Sequence, residues 1–393
     1  MCKLKALVIS DLHAILNKQH IDLSHLLLNG ESGFADSLIS YITDLDHNFD
    51  LLICAGDLSN MGDEDCFNAG WDFVLRIQAE LNIGNILCSP GNHDHQSRPP
   101  NNTKPKAALM NSNKPFPTND TATNNKFFES NWCYIDGRQL NYNCIILNTS
   151  AFHGDGDEYL HGKVDTDIID EIVNFTKSPS FENHSLNILL CHHHPIKMEH
   201  IDEAHDYDAM TGGQQLIYKL HNAGKGAWLI IHGHKHFAEV TYSPATGRIP
   251  PVIFSAGSLS AQIYSKIQNR TSNQFYILEI DLDQTAVEGL PVGTFEAHER
   301  ILSNCWRPSK ANNLPARGGF GSPSTPNQVA ENIKHAITDD CPFLEAEELD
   351  ELTAPAKNFT PSDFAKLVEA LKCCGLAVET ENHSILVVGR PHD

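Results

Sequence analysis

Five short apolar runs in this 393-residue chain each stop at a knot of Asp, Asn and His residues, and most of the segments between them carry helical spacing. The knots read SDLH ending at His13, AGDLS around Asp57, PGNHD around Asn92, CHHHP from Cys191 to Pro195, and GHKH from Gly233 to His236. Leu4–Ser10 is a continuous apolar run suited to a buried strand, and Phe34, Leu38, Tyr41, Ile42 and Leu45 fall on one helical face. Leu51–Ala55 is the next strand. Phe67, Gly70, Val74, Ile77 and Leu81 form a second helical stripe, followed by the strand Asn85–Ser89. This order predicts an α/β chain with a largely parallel sheet. An antiparallel pair, Trp132–Tyr134 and Asn143–Asn148, comes next. Helices over 165–175 and 214–221 then alternate with strands Leu186–Cys191, Trp228–His232, Pro251–Ser255 and Gln274–Asp281.

A hydrophobic content of 41% supplies a sizeable core. With 28 Lys+Arg against 50 Asp+Glu, the net charge of −22 disfavours nucleic acid and anionic lipid as general partners. An anionic ligand must therefore be drawn by something local, and bound divalent cations supply such a field. The 11 cysteines follow no CxxC spacing, and Cys54, Cys88 and Cys191 lie inside strand-like runs. Reduced thiols of a cytoplasmic protein are the expectation. The apolar run near the N-terminus is too short for a secretory signal, and no stretch reaches the ~20 apolar residues of a membrane span, so no membrane association is expected.

In open α/β sheets the site lies beyond the carboxyl ends of the strands, because the loops there converge. All five knots occupy such ends. A lone DxH or GD more often caps a helix or starts a turn, but the five strings in this order resemble the calcineurin-like metallophosphoesterases over roughly residues 1–300. The resemblance implies a four-layer sandwich of two mixed β-sheets flanked by helices, holding two divalent transition metal ions. It places Asp11, His13 and His236 on the first ion, Asn92, His193 and His234 on the second, and Asp57 between them. Such a pair clamps the attacking and leaving oxygens of an in-line displacement, with a hydroxide shared by both ions as nucleophile. Donors that are only N and O suit Mn, Fe, Zn or Co.

By the same resemblance His93 is the catalytic histidine, protonating the leaving alkoxide. Many relatives carry an Asp three residues after the bridging Asp to orient it; here Asn60 stands there, and Asp63 or Asp94 is a candidate substitute. The family ligand lies two residues before the proline of CHHHP, which selects His193. Strand alternation then turns His192 to the other face and leaves His194 near the substrate, with His192 as ligand in a shifted register the alternative. In GHKH an extended loop start projects His234 and His236 together and Lys235 away.

Other polar groups carry plainer readings. His153, His161, His200 and His205 are expected at the surface, and Asp155, Asp157 and Glu158 in a turn. The polar stretch 99–125 reads as a disordered insertion or a gating loop, and its Lys104, Lys106 and Lys114 as solvated. Residues 1–302 form the expected catalytic domain. Pro- and Gly-rich residues 303–326 read as a linker or strap. Residues 327–393 read as a small α+β unit: Thr360, Pro361 and Asp363 start a helix carrying Phe364, Leu367, Val368 and Leu371, and a hairpin follows around Glu381-Asn382-His383. Helix plus hairpin resembles a winged helix. The acidic composition argues against duplex binding and for docking a protein partner. The expected substrates are small nucleotide or cyclic-nucleotide phosphodiesters. The rival readings are a nuclease working with a partner subunit and a scaffold retaining the metal site.

Overall fold

The computed structural model describes residues 2–16, 33–96, 104–154, 161–198, 209–244, 250–263, 265, 267–301, 305–311 and 313–391. The readings for His200, His205, Asp155, Asp157 and Glu158 lie outside these residues.

The first sheet takes β1 (Lys3–Ile9), β2 (Leu51–Cys54) and β3 (Asn85–Cys88) in parallel. The second takes β4 (Trp132–Gly137), β5 (Tyr142–Leu147), β6 (Leu186–Leu190), β7 (Ala227–His232), β8 (Glu239–Tyr242) and β9 (Val252–Ser255), in the order β4-β5-β6-β7-β9-β8. Then β10 (Gln274–Asp281) returns to the first sheet and lies antiparallel to β1, with β11 (Gly293–Ile301) beyond it. Both sheets are mixed. Alternation along the strands of the second sheet separates two cores: Leu186, Ile188 and Leu190 join the core shared with β1 and β2, while Leu189 and Cys191 face the helices Thr166–Lys177 and Gly213–Asn222.

The segment 303–326 is built into this scaffold. β12 (Cys305–Pro308) and β13 (Arg317–Phe320) both pair with β11, so its prolines and glycines punctuate two short strands of the first sheet. Beyond it the helix Pro326–Ala336 starts with a reciprocal capping box between Thr325 and Gln328. This helix, the helices Ala346–Thr353 and Pro361–Cys373, and the three-stranded sheet of β14 (Phe343–Glu345), β15 (Ala377–Glu381) and β16 (Ser384–Gly389) enclose a third core around Ile333, Leu367, Leu371 and Val388. Backbone bonds from Gly319 to Phe359 and from Ser322 to Asn358 fasten this unit to the strap, and one from Gly321 to the Tyr242 hydroxyl ties the strap to β8.

The described part of the polar stretch, residues 104–125, is ordered packing. Phe116 is 2% exposed and meets Phe67, Trp71 and Phe127 edge-on, and the Trp71 indole donates to the Pro115 carbonyl. Lys114 pairs with Asp72, and Lys106 binds Asn131. One aromatic anchor outweighs the polarity of its neighbours. Phe116→Ala should therefore lower stability by about 3–5 kcal/mol, read by denaturant unfolding of the full chain; a loss below ~1 kcal/mol would show the segment to be loosely held.

Candidate metal centre

Three strands of one sheet and two of the other aim their carboxyl ends at one point, and the connections there are unusually tight. Asp11 and His13 follow β1, Asp57 follows β2, Asn92 and His93 follow β3, His192 follows β6, and His234 and His236 follow β7. Backbone bonds from Asp11 to Gly56, from His13 to Asp57 and from Gly233 to His192 knit the loops together. Asp11, His13, Asp57, His234 and His236 all have φ between 49° and 77°. The left-handed conformation costs a non-glycine residue roughly 1 kcal/mol or more, and it collects where the surroundings force a side chain into a functional position. The extended entry expected for GHKH is thus replaced by two left-handed residues.

The donors converge in two groups. Asp11 Oδ1 lies 3.2 Å from His236 Nε2 and 3.8 Å from His13 Nε2, and the two imidazole nitrogens are 3.2 Å apart. Asp57 Oδ2 lies 3.5 Å from His13 Nε2 on one side and 3.2 Å from His192 Nε2 on the other. Asn92 Oδ1 is 3.2 Å from His192 Nε2 and 3.0 Å from His234 Nδ1. Asp57 thus stands between both groups.

Within CHHHP the ring at the centre is that of His192. Its Nδ1 donates to the Ala55 carbonyl at 2.7 Å, which leaves Nε2 facing Asp57 and Asn92. His193 instead places Nδ1 2.8 Å from the Thr149 hydroxyl, with its ring centroid 4.4 Å from that of His234. The family position two residues before the proline selects His193, and it is the outward-facing reading of His192 that assumes strand alternation continues through the motif. β6 ends at Leu190, and the chain has left the sheet before the histidines begin. His194 is buried and stacks on His234 at 5.9 Å.

The residues around His93 also sort themselves out. Asn60 Oδ1 lies 3.2 Å from His93 Nδ1, so the amide occupies the orienting position. Asp63 caps the helix Glu64–Glu80 by accepting from Cys66. Asp94 is fully buried and accepts from the backbone of Leu58, Ser59 and Gly91, tying the Asp57 loop to the Asn92 loop. Neither acid reaches the histidine ring in these contacts. His153, expected at the surface, is 2% exposed; with His95 it lines the layer behind His193, and His95 bonds Gly91 and Asn148. Sequence reasoning misses His95, Asn148, Thr149 and His153 as site residues, because nothing in their local spacing distinguishes them from loop polar residues.

Burial would raise the carboxyls of Asp11 and Asp57, but the neighbouring imidazoles outweigh it and hold both below the usual carboxylate range; His236 acts chiefly on Asp11 and His192 on Asp57. Burial would likewise lower His192, yet Asp57 holds it up to about 10. Burial dominates for His193 and His234 and pushes both well below the ordinary imidazole value. Ligands of this kind bind a metal in deprotonated form, so a metal entering such a set displaces any proton held there.

The donor set fits divalent ions. Asp11 Oδ1 is buried without a hydrogen-bond partner, and the ligating atoms of Asp11, His13 and His236, of His13, Asp57 and His93, and of Asp11, Asp57 and His192 lie within 4.8 Å of one another in each group. A methyl group on Gly91 would overlap Asp57 Oδ1. The backbone there is shaped around the carboxylate. Two sheets that deliver a shared carboxylate, an amide and imidazoles to one seam define a metal-dependent phosphoester hydrolase.

Comparison with known proteins gives the family. The calcineurin-like phosphoesterase profile matches residues 4–238, and the chain belongs to that family. No curated protein matches the sequence. Among solved structures, the chain is similar to a dimetal phosphatase from Danio rerio at 10% identity and TM-score 0.47, covering 70% of this chain and 94% of that one. It is also similar to a purple acid phosphatase from yellow lupin, at 14% identity and TM-score 0.44 over 76% of this chain and 51% of that one. A 5′-nucleotidase precursor from Thermus thermophilus shows 14% identity and TM-score 0.37 over 75% and 54%.

The two histidine registers make opposite predictions for bound metal. His192→Ala should lower the metal content of the purified protein from about two ions to about one per chain, and His193→Ala should leave it near two, measured by elemental analysis. The reverse pattern would restore His193 as the ligand.

Proposed function

We propose that this protein hydrolyses phosphodiesters of small nucleotides, cyclic nucleotides included, with two divalent transition metal ions. Asp11, His13 and His236 would hold the first ion, Asn92, His192 and His234 the second, and Asp57 both. When bound, such ions supply Lewis-acid polarisation of a phosphoryl oxygen and a hydroxide nucleophile at neutral pH. The observation that carries the reading is the position of Asp57 Oδ2, between an imidazole from each sheet.

His93 is the proton donor of this scheme. Its backbone N–H donates to Asp57 Oδ1 at 2.7 Å and its Nδ1 faces the Asn60 amide oxygen, so its backbone and one edge of its ring are both held. With Nδ1–H donating to Asn60, Nε2 is the atom left to deliver a proton to the departing alkoxide. Asn60 is a neutral acceptor, so it orients the ring without the charge that would stabilise a retained proton.

The preference for a diester follows from the same loop. Protein-phosphatase relatives of the PPP type carry an Asp-Arg-Gly string after the bridging Asp, whereas this chain places Asn60-Met61-Gly62 there. Met61 is 64% exposed and stands one residue from the group that orients His93. A thioether at that point offers no cation for the second charge of a monoester and an apolar contact for an esterified group. A cytoplasmic setting belongs to the same reading, in which the six buried cysteines serve as apolar packing. Among the described residues, no helix is long and apolar enough to cross a membrane.

With Mn supplied, turnover of a chromogenic phosphodiester should exceed that of the matching monoester. Asp57→Asn should abolish turnover and reduce bound metal; full metal and retained activity in that variant would overturn the bridging assignment. His93→Ala should lower kcat by about 10²–10⁴ while keeping two metals per chain. A change confined to KM would reduce His93 to a phosphate anchor.

A further inference from the structure

Immediately beside the histidine loop lies a cavity of 600 Å³ whose walls include Pro195, Ile196, Lys197, Met210, Gln214 and Gln215. It adjoins a second cavity of 370 Å³ that shares Ile196, Gln214 and Gln215 and extends past Ile217 and Tyr218. Both volumes fall in the range of small-molecule pockets, about 300–1,000 Å³.

The cavity is held to the metal loop. Met210 donates its backbone N–H to the His194 carbonyl at 2.9 Å, and Thr211 donates to Gly162 at 2.8 Å. Gly212 turns the chain into the helix Gly213–Asn222 with φ of +80°. A Cβ on Gly213 would stand 2.5 Å from the Pro195 carbonyl, so the start of the helix presses directly on the loop. Gln214 and Gln215 are the next two residues, exposed in the first turn of that helix. Pro195 is three residues from His192, a span of at most roughly 10 Å. The cavity wall therefore continues directly from the loop that carries His192.

We propose that this cavity receives the nucleobase of the phosphoester, with Gln214 and Gln215 reading its edge. Each primary amide presents a donor and an acceptor, the pattern carried by the edges of heterocyclic bases. Half-buried Ile196 supplies apolar surface for the flat face of the ring, with Met210 packed in the core behind it. Lys197 at the rim places a cation beside an anionic substrate in a protein whose net charge is −22. This assignment rests on the phosphodiesterase reading, and it names the feature by which the substrate would be chosen.

The test compares two substrates with one chromophore, the p-nitrophenyl ester of thymidine 5′-monophosphate and bis(p-nitrophenyl) phosphate, on the full-length Mn-loaded protein. The wild type should prefer the thymidine ester in kcat/KM, and the double variant Gln214→Ala, Gln215→Ala should lower that preference about tenfold, mainly through KM. Alanine keeps the helix, so a folding loss is not expected. An unchanged preference overturns the proposal. If neither substrate turns over, the phosphodiesterase reading fails separately, and saturation-transfer NMR with thymidine decides the cavity: binding by the wild type that weakens in the variant supports it, and absent or unaltered binding ends it.

Discussion

A carboxylate buried between imidazoles from opposite sheets is the interaction on which this structure turns. Asp57 is 1% exposed, and a charge at such depth is costly unless partners surround it. Its partners arrive from β1 and β6, which belong to different sheets, and Asp11 repeats the pattern with His236 after β7. The two sheets are thus joined at their carboxyl edges by carboxylate–imidazole contacts as well as by the apolar layer between them. The same arrangement that would be an expensive defect in a purely structural protein is the electrostatic frame a pair of cations requires.

The backbone bears the cost of this convergence. Five donor residues adopt left-handed φ values, and glycine stands where the chains run closest, as at Gly91 against Asp57. Such strain persists only where neighbouring hydrogen bonds over-determine the loop. Here Asp94 supplies several, accepting from three backbone amides of two loops at once. Burial, with Asp57 nearby, raises its carboxyl to about 6. Asp94 acts through the loops it braces, and the chemistry is left to the residues those loops carry.

Much of the scaffold was legible in the sequence because apolar periodicity reports burial directly. Gln274–Asp281 reads as a strand and is one, and the helix at Pro361 starts where Thr360, Pro361 and Asp363 announce it. Periodicity failed where the chain leaves regular structure. Alternation turned His192 outward, whereas its ring lies beside Asp57 because β6 stops at Leu190, and an extended GHKH was expected where two residues turn left-handed. Short strands against β11 were hidden by proline and glycine, and Phe116 by the polar residues around it. His153 lay beyond reach for another reason: its burial is decided by loops packing from distant parts of the chain. One missed element did carry a local signal, since Thr325 and Gln328 spell the capping box that opens the helix at Pro326.

The distance along the chain between cooperating ligands has a consequence for biogenesis. His13 and His236, whose ring nitrogens lie 3.2 Å apart, are separated by 223 residues. Closing so long a loop costs entropy that is recovered only when both sheets have docked. At ribosomal rates of about 5–20 residues per second, the first histidine waits at least about ten seconds for its companion to be synthesised. Under the proposed metal assignment, loading would await completed folding of the sandwich, because the nascent chain carries only half of the chelate until His236 emerges.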